Sequence, residues 1–292
     1  MRHLYECPMR WADLDMLGHV NNVVYADYLQ EARVDLLRLH SATGGQTDRL
    51  AEGVVVVSHR VQYVAPLLFD LAGSSVSVEV WVTEIRAASF TLAYEVFQQP
   101  RQAGEERTVF LRATSVLTPY VFATEQPRRL TAEERAGLEA YLEPADSAPA
   151  VEYGQPRRTE AGHYPLRVRF SDLDAYGHVN NVKFFEYFQE ARIAAMGRMR
   201  RDLESLGPVP SMVVAQTDVD YLRPVHLRAE PYDVHTWISR VGTRSVTMSS
   251  EILDGEATLA RARCVLVFFD TATGRSVVPP DALREVLSQL SG

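Results

Sequence analysis

Two cysteines in 292 residues, Cys7 and Cys264, are too few and too far apart for a disulfide framework, and they stand in no metal or redox spacing. Their scarcity fits a reducing compartment. No stretch approaches the ~20 apolar residues that span a bilayer, and the opening Met1-Arg2-His3-Leu4-Tyr5-Glu6-Cys7-Pro8 has no apolar signal core. A soluble cytoplasmic protein is expected. There is also no concentrated stripe of Lys and Arg, and the net charge is −8. Phosphate backbones need a positive field, so nucleic acid is an unsuitable partner, whereas a small anionic substrate is not excluded. Low-complexity blocks are missing as well. The hydrophobic fraction of 46% and charged fraction of 23% are those of a globular chain, long enough for about two domains with cores of their own.

What the chain does have is a repeat. Arg10-Trp11-Ala12-Asp13-Leu14-Asp15-Met16-Leu17-Gly18-His19-Val20-Asn21-Asn22 returns as Arg169-Phe170-Ser171-Asp172-Leu173-Asp174-Ala175-Tyr176-Gly177-His178-Val179-Asn180-Asn181, 159 residues later. The identity extends to Gln30-Glu31-Ala32-Arg33 and Gln189-Glu190-Ala191-Arg192, while the flanks have drifted. A period near half the chain length means two equivalent domains, because solenoid repeats run to roughly 20–50 residues. The retained groups are carboxylates, an imidazole and amides, which belong to reaction chemistry more than to packing.

Each polar segment leads into a helical pattern. Tyr25, Tyr28, Leu29, Ala32, Leu36 and Leu37 lie on one face in the first copy, as do Phe184, Phe185, Phe188, Ala191 and Ala195 in the second. The Asn pair suits a helix start, and Gly44-Gly45 and Gly207-Pro208 suit the two stops. Strand periodicity then predicts Val54 to Val64, Ser75 to Glu84, Phe90 to Gln98 and Thr108 to Tyr120. The second copy answers with Met212 to Leu222, Tyr232 to Ser239, Ser245 to Ile252 and Thr258 to Phe269, with Asp254-Gly255 as a hairpin turn. Tyr63, Pro66 and Trp81 match Tyr221, Pro224 and Trp237. Short helices are expected at Ala132 to Leu142 and Asp281 to Leu290. The Pro- and Ala-containing stretch near residue 150 marks a linker, with domains at 1–145 and 160–292 and the linker at 146–159.

The pattern Asp-x-Asp-x-x-Gly-His-Val-Asn-Asn after a first strand, followed by a helix carrying Glu-Ala-Arg and then antiparallel strands, resembles the hotdog-fold acyl-CoA thioesterases of the 4-hydroxybenzoyl-CoA thioesterase-like group. The resemblance covers nearly the whole chain, twice. It implies an α+β architecture of two tandem hotdog domains, each a long helix wrapped by a curved antiparallel sheet, paired as a fused dimer with acyl pockets between them. It implies hydrolysis of an acyl-CoA to free acid and CoA, with Asp15 and Asp174 as catalytic carboxylates, either nucleophile or general base. Coenzyme A enters as part of the substrate, so no cofactor is called for. An acyl carrier protein thioester is a second substrate form.

Around those carboxylates the residues admit more than one reading. Asp15 and Asp174 could instead cap the helix. Gly18 and Gly177 permit unusual backbone angles and close approach of a ligand, or serve only the turn. Amides at the helix start are candidate oxyanion donors. His19 and His178 orient the Asp or a water, or are structural. Asn21 and Asn180 position water or the carbonyl, or cap the helix; Asn22 and Asn181 lean towards capping. Asp13 and Asp172 are expected to bind loop amides or an Arg. A metal is disfavoured, since neither copy supplies a full ligand set. Glu31 and Glu190 are expected in buried or half-buried structural pairs. The helix aromatics are core or pocket wall. Arg60, Arg86, Arg223, Arg244 and Arg263 are candidate CoA phosphate contacts.

Two rival functions remain at this level. A hotdog hydratase would place Asp and His five positions apart around a proline-containing motif, whereas Asp15 and His19 are four apart. An acyl-CoA-binding regulator without turnover would be expected to lose the loop Asp from a copy, and neither has lost it. Both sites are therefore expected to be competent, with preferences set by Met16-Leu17 against Ala175-Tyr176 and Val24 against Lys183. Further association of the fused pair through exposed sheet faces or edges stays open.

Overall fold

In the computed structural model, which describes residues 1–41, 53–69, 75–99, 106–146, 149–203 and 210–291, the chain divides into two compact units, Met1–Pro149 and Ala150–Gly292. The first contains β1 (His3–Pro8), α1 (Tyr25–Ser41), β2 (Val54–Tyr63), β3 (Ser75–Ile85), β4 (Phe90–Gln98), β5 (Thr108–Val121), the short β6 (Gln126–Pro127) and α2 (Ala132–Glu139). The second contains β7 (His163–Leu166), α3 (Lys183–Leu203), β8 (Ser211–Tyr221), β9 (Tyr232–Val241), β10 (Ser245–Asp254), β11 (Ala257–Asp270), the short β12 (Arg275–Ser276) and α4 (Asp281–Ser291). Predicted strand limits fall within two residues of these. The expected helix stops at Gly44-Gly45 and Gly207-Pro208 lie outside the described residues.

Within the first unit the strands run in the order β1-β3-β4-β5-β2, and within the second β7-β9-β10-β11-β8, every pairing antiparallel. The long helix lies across its own unit's sheet. Leu29, Ala32 and Leu36 in α1 and Ala191 and Ala195 in α3 are at most 1% exposed. They sit three or four residues apart, on one stripe. Alanine at the closest positions lets the helix axis approach the strands.

Why the sheet curves around the helix is visible in its register. Each unit has three β-bulges at matching positions: one extra residue at Val57 in β2 and Ala215 in β8, at Thr83 in β3 and Ser239 in β9, and at Phe110 in β5 and Leu259 in β11. A bulge bends its strand and increases the local twist. The third bulge also directs a loop. Phe110 O accepts from the amides of Val64 and Ala65 at 2.8 and 3.3 Å, and Leu259 O from those of Leu222 and Arg223 at 2.9 and 3.0 Å.

Residues beyond the linker's midpoint belong to the second unit. Tyr153 donates to Asp220 at 2.6 Å, and Arg158 pairs at 2.7 Å with Glu251, a fully buried carboxylate on β10. Cys7 and Cys264 are free and buried, each in its own unit. Burial pushes the Cys7 thiol up to about 12 and raises that of Cys264, which keeps both thiols protonated and unreactive. None of the described helices is long and apolar enough to cross a membrane.

Candidate active site

The segment that follows β2 or β8 places the repeated motif. Having been gripped by the bulge carbonyl, it offers Leu67 O to the amide of Val20 at 2.9 Å, and Val225 O to that of Val179 at 2.9 Å. Tyr63 and Tyr221, the shared landmarks, donate their hydroxyls to the carbonyls of Asn22 and Asn181, both at 2.9 Å. The motif loop is thus tied down at two points just after its histidine.

Within the loop, Asp15 Oδ1 accepts from the amides of Leu17 and His19 at 2.8 and 3.1 Å. Asp174 Oδ1 accepts from those of Tyr176 and His178 at 2.8 and 3.2 Å. The carboxylate therefore binds its own turn rather than capping the helix. Among the described residues no donor is placed on Oδ2 of either. Gly18 and Gly177 make the turn possible at φ +76 and +82°, a region that costs an L-residue roughly 1–2 kcal/mol. Their amides are engaged too, donating to Asp15 O at 3.1 Å and Asp174 O at 3.2 Å.

The helix start is built by Asn21 and Asn180. Each Oδ1 accepts from an amide two residues on, Val23 or Val182, at 3.3 Å, and each carbonyl accepts from Val24 or Lys183 at 3.0 Å. With Oδ1 so used, the side-chain NH2 of either Asn has no acceptor among the described residues. The amides of Val23, Val24, Val182 and Lys183 are committed to Asn21 and Asn180, which leaves these four helix-start amides unavailable to a substrate oxygen.

Asp13 and Asp172 behave as expected in binding a loop amide, that of Arg10 at 2.7 Å and that of Arg169 at 2.8 Å. Sequence reasoning missed their second partners. Tyr28 and Tyr187 each donate a hydroxyl at 2.6 Å, and burial followed by that hydrogen bond raises both phenols well above the ordinary tyrosine value. The two tyrosines are 159 residues apart, so the repeat offset carried the signal. The other helix aromatics, Tyr25, Phe184, Phe185 and Phe188, are buried core.

One side-chain expectation is corrected, and the candidate arginines differ in their partners. Glu31 and Glu190 are exposed rather than buried in pairs, because the stripe that buries Leu29, Ala32 and Leu36 turns Glu31 outward. Arg263 is drawn into a pair with fully buried Asp218 at 2.6 Å, and Arg86 pairs with Glu84 at 2.8 Å. Arg60 donates to His59 O at 2.9 Å and Arg244 to Ser276 at 3.2 Å. Arg223, exposed two residues after Tyr221, is the member of that set whose guanidinium has no partner among the described residues.

The loop presents its carboxylate among apolar side chains that face solvent. Trp11, Met16, Leu17 and Leu68 are all more than half exposed in the first unit, and Phe170 and Tyr176 flank the loop in the second. Exposed apolar groups gathered around polar ones mark ligand surfaces.

A family model described as the thioesterase-like superfamily matches residues 9–137 and again 168–287. The chain belongs to that superfamily and is a thioester hydrolase. The uncharacterized protein YsmA of Bacillus subtilis is 35% identical over 124 residues, 42% of this chain and 82% of that protein. The long-chain acyl-CoA thioesterase FadM of Escherichia coli is 27% identical over 127 residues, 43% of this chain and 96% of its own length. Among solved structures, the 12:0-ACP thioesterase of Umbellularia californica shares the fold over 92% of this chain and 94% of its own, at a TM-score of 0.70 and 16% identity.

Proposed function

We propose that this chain hydrolyses acyl-CoA thioesters to the free acid and CoA, with Asp15 and Asp174 as the reacting carboxylates of two equivalent sites. The observation that carries this is the duplicated loop itself: in both copies one carboxylate oxygen is fixed by two amides and the other has no donor among the described residues. Fixing Oδ1 sets the carboxylate plane before substrate arrives, so Oδ2 meets the carbonyl carbon or a water without further ordering.

Two routes use that oxygen. As nucleophile it adds to the thioester carbon and expels the CoA thiolate, leaving a mixed anhydride that water cleaves to the acid and the regenerated carboxylate. As general base it takes a proton from water as the water oxygen adds to the same carbon, and the collapsing adduct expels the thiolate, which is protonated to CoA. In either case negative charge grows on the carbonyl oxygen. The NH2 groups of Asn21 and Asn180 are the donors assigned to it. A single turnover in ¹⁸O-water that leaves the label in Asp15 or Asp174 and none in the product acid establishes the anhydride, cleaved by water at its aspartyl carbonyl, whereas the base route labels only the product, as does cleavage of the anhydride at its acyl carbon.

CoA as the thiol carrier follows the likeness to FadM, and Arg223 is the cation we assign to a CoA phosphate at the second site. No cofactor takes part in this reading. That each unit serves the other as its hotdog partner rests on the sequence repeat and the resemblance; expressing either unit alone tests it, a stable active single unit arguing against. The functional reading is tested with Asp15→Asn/Asp174→Asn. It should leave almost no release of thiol from an acyl-CoA panel while circular dichroism is unchanged, and full residual activity would overturn the assignment.

A further inference from the structure

We propose that the second unit holds a binding site for an unbranched alkyl chain, in a half-open cavity bounded by the C-terminal half of α3, by α4 and by the sheet face against which they pack. Its volume is about 430 Å³, within the ~300–1,000 Å³ of small-molecule sites.

The lining determines the guest. Met196, Met199, Met212 and Met248 contribute flexible thioethers, and among the described residues Ser211 is the only hydroxyl in the lining and no charged side chain belongs to it. With no counter-charge, a phosphate or carboxylate head would be stranded inside. Unbranched, adaptable methionines suit a guest of variable length and conformation. An aliphatic tail fits that chemistry, and a thioester hydrolase meets acyl chains at every turnover. The identity of the chain rests on the thioesterase reading; the existence of the site does not.

The first unit is an internal control. Where the second has Val246 and Met248, the first has Phe90 and Leu92, which are 1% and 0% exposed. Gly197 stands where the first unit has Arg38, and a Cβ built on it would meet nothing within 4 Å. Leu283, which lines the cavity, replaces Glu134, a carboxylate held by Arg128 at 2.6 and 2.8 Å. Bulk and polarity have been removed from one copy of a shared architecture. The cavity opens from Ile193 onwards, ten residues along α3 from Lys183, or about 15 Å at the helical rise. The chain is therefore either the far end of a long acyl substrate or a free fatty acid bound apart from the chemistry.

The test uses the full chain with Asp15→Asn/Asp174→Asn, so that no turnover intervenes. Dodecanoate and hexadecanoate are titrated against a bound fluorescent fatty acid. One saturable equivalent per chain is expected, weakened about tenfold or more by Val246→Phe and by Gly197→Leu, the scale on which apolar pockets respond to lost methylene room. Absence of saturable binding, or equal binding by the folded variants, overturns the proposal. Gly197→Leu, at an uncrowded position, carries the test if Val246→Phe does not fold. Hydrolysis by the same two variants in the wild-type background distinguishes the sources. Selective loss of kcat/KM on long-chain thioesters assigns the substrate's tail, and an unchanged chain-length profile assigns a free acid. Binding without hydrolysis by the wild-type chain would overturn the functional reading and leave the site standing.

Discussion

The two units keep the same hydrogen bonds around Asp15 and Asp174 while their interiors have gone separate ways. Beneath α1, His59 bonds Ser115 at 2.7 Å and both are fully buried. Beneath α3 the matching strand positions hold Thr217 and Cys264. Phe90 packs one core where Val246 lines a cavity in the other. Opposite the motif histidine, His19 bridges to Leu68, whereas His178 bridges to His226 with ring centroids 5.0 Å apart. The difference teaches where the site's geometry is stored. It is held by backbone amides, a bulge carbonyl and two tyrosines, so core side chains can change without moving the carboxylate.

The largest way to sharpen this comparison is to remove the assigned oxyanion donors. Asn21→Ala/Asn180→Ala should lower kcat by about 10²–10³, the usual loss for one such donor, in a steady-state thiol-release assay. A loss confined to stability would reduce both Asn to helix caps.

Next in size are the tyrosines that hold Asp13 and Asp172. Deleting a hydrogen bond to a charged group costs about 1.5–3 kcal/mol. Tyr187→Phe should cost more than Tyr28→Phe, because Asp172 is only 6% exposed and Asp13 is half-buried. Urea midpoints of the two variants read this. Equal losses would mean that burial does not distinguish the two loops.

A smaller effect is expected from Gly18→Ala and Gly177→Ala. Each forces an L-residue to a positive φ at a cost of roughly 1–2 kcal/mol. No side-chain clash adds to it, since neither added Cβ meets an atom within 4 Å. Matched shifts in Tm for the two variants would confirm that the loops are equivalent.

The smallest effect separates the cores. Burial first, then the Arg33 and Arg60 charges, hold His59 well below the usual histidine value. A histidine lowered by folding stabilises above its unfolded pKa of about 6.5. That contribution is lost as pH falls below this value, because the unfolded chain then binds the extra proton. His235 in the second unit is lowered as well, chiefly by burial. Urea midpoints at pH 7 and pH 5 should fall with acid, and His59→Thr, the second unit's residue at that position, should flatten part of the fall. An unchanged acid slope would remove His59 from this account.

Much of this was legible in the sequence. Strand limits followed from alternation, the long helices from three- and four-residue spacing, and the paired sites from the repeat. The bulges were not, because Val57, Thr83 and Phe110 are ordinary strand residues and the extra residue appears only in the partner's register. Nor was the commitment of the Gly18 and Val23 amides, which depends on how the loop closes. His226 could have been noticed only as a departure from Leu68 between the copies.

The central claim, two equivalent carboxylate sites, is tested most directly by thiol release from an acyl-CoA by Asp15→Asn, Asp174→Asn and the double variant at equal protein concentration. Each single variant should retain a substantial part of wild-type turnover and the double variant almost none, general acid–base groups being worth about 10²–10⁴. Complete loss in one folded single variant would contradict the claim, making the other copy a scaffold for one working site.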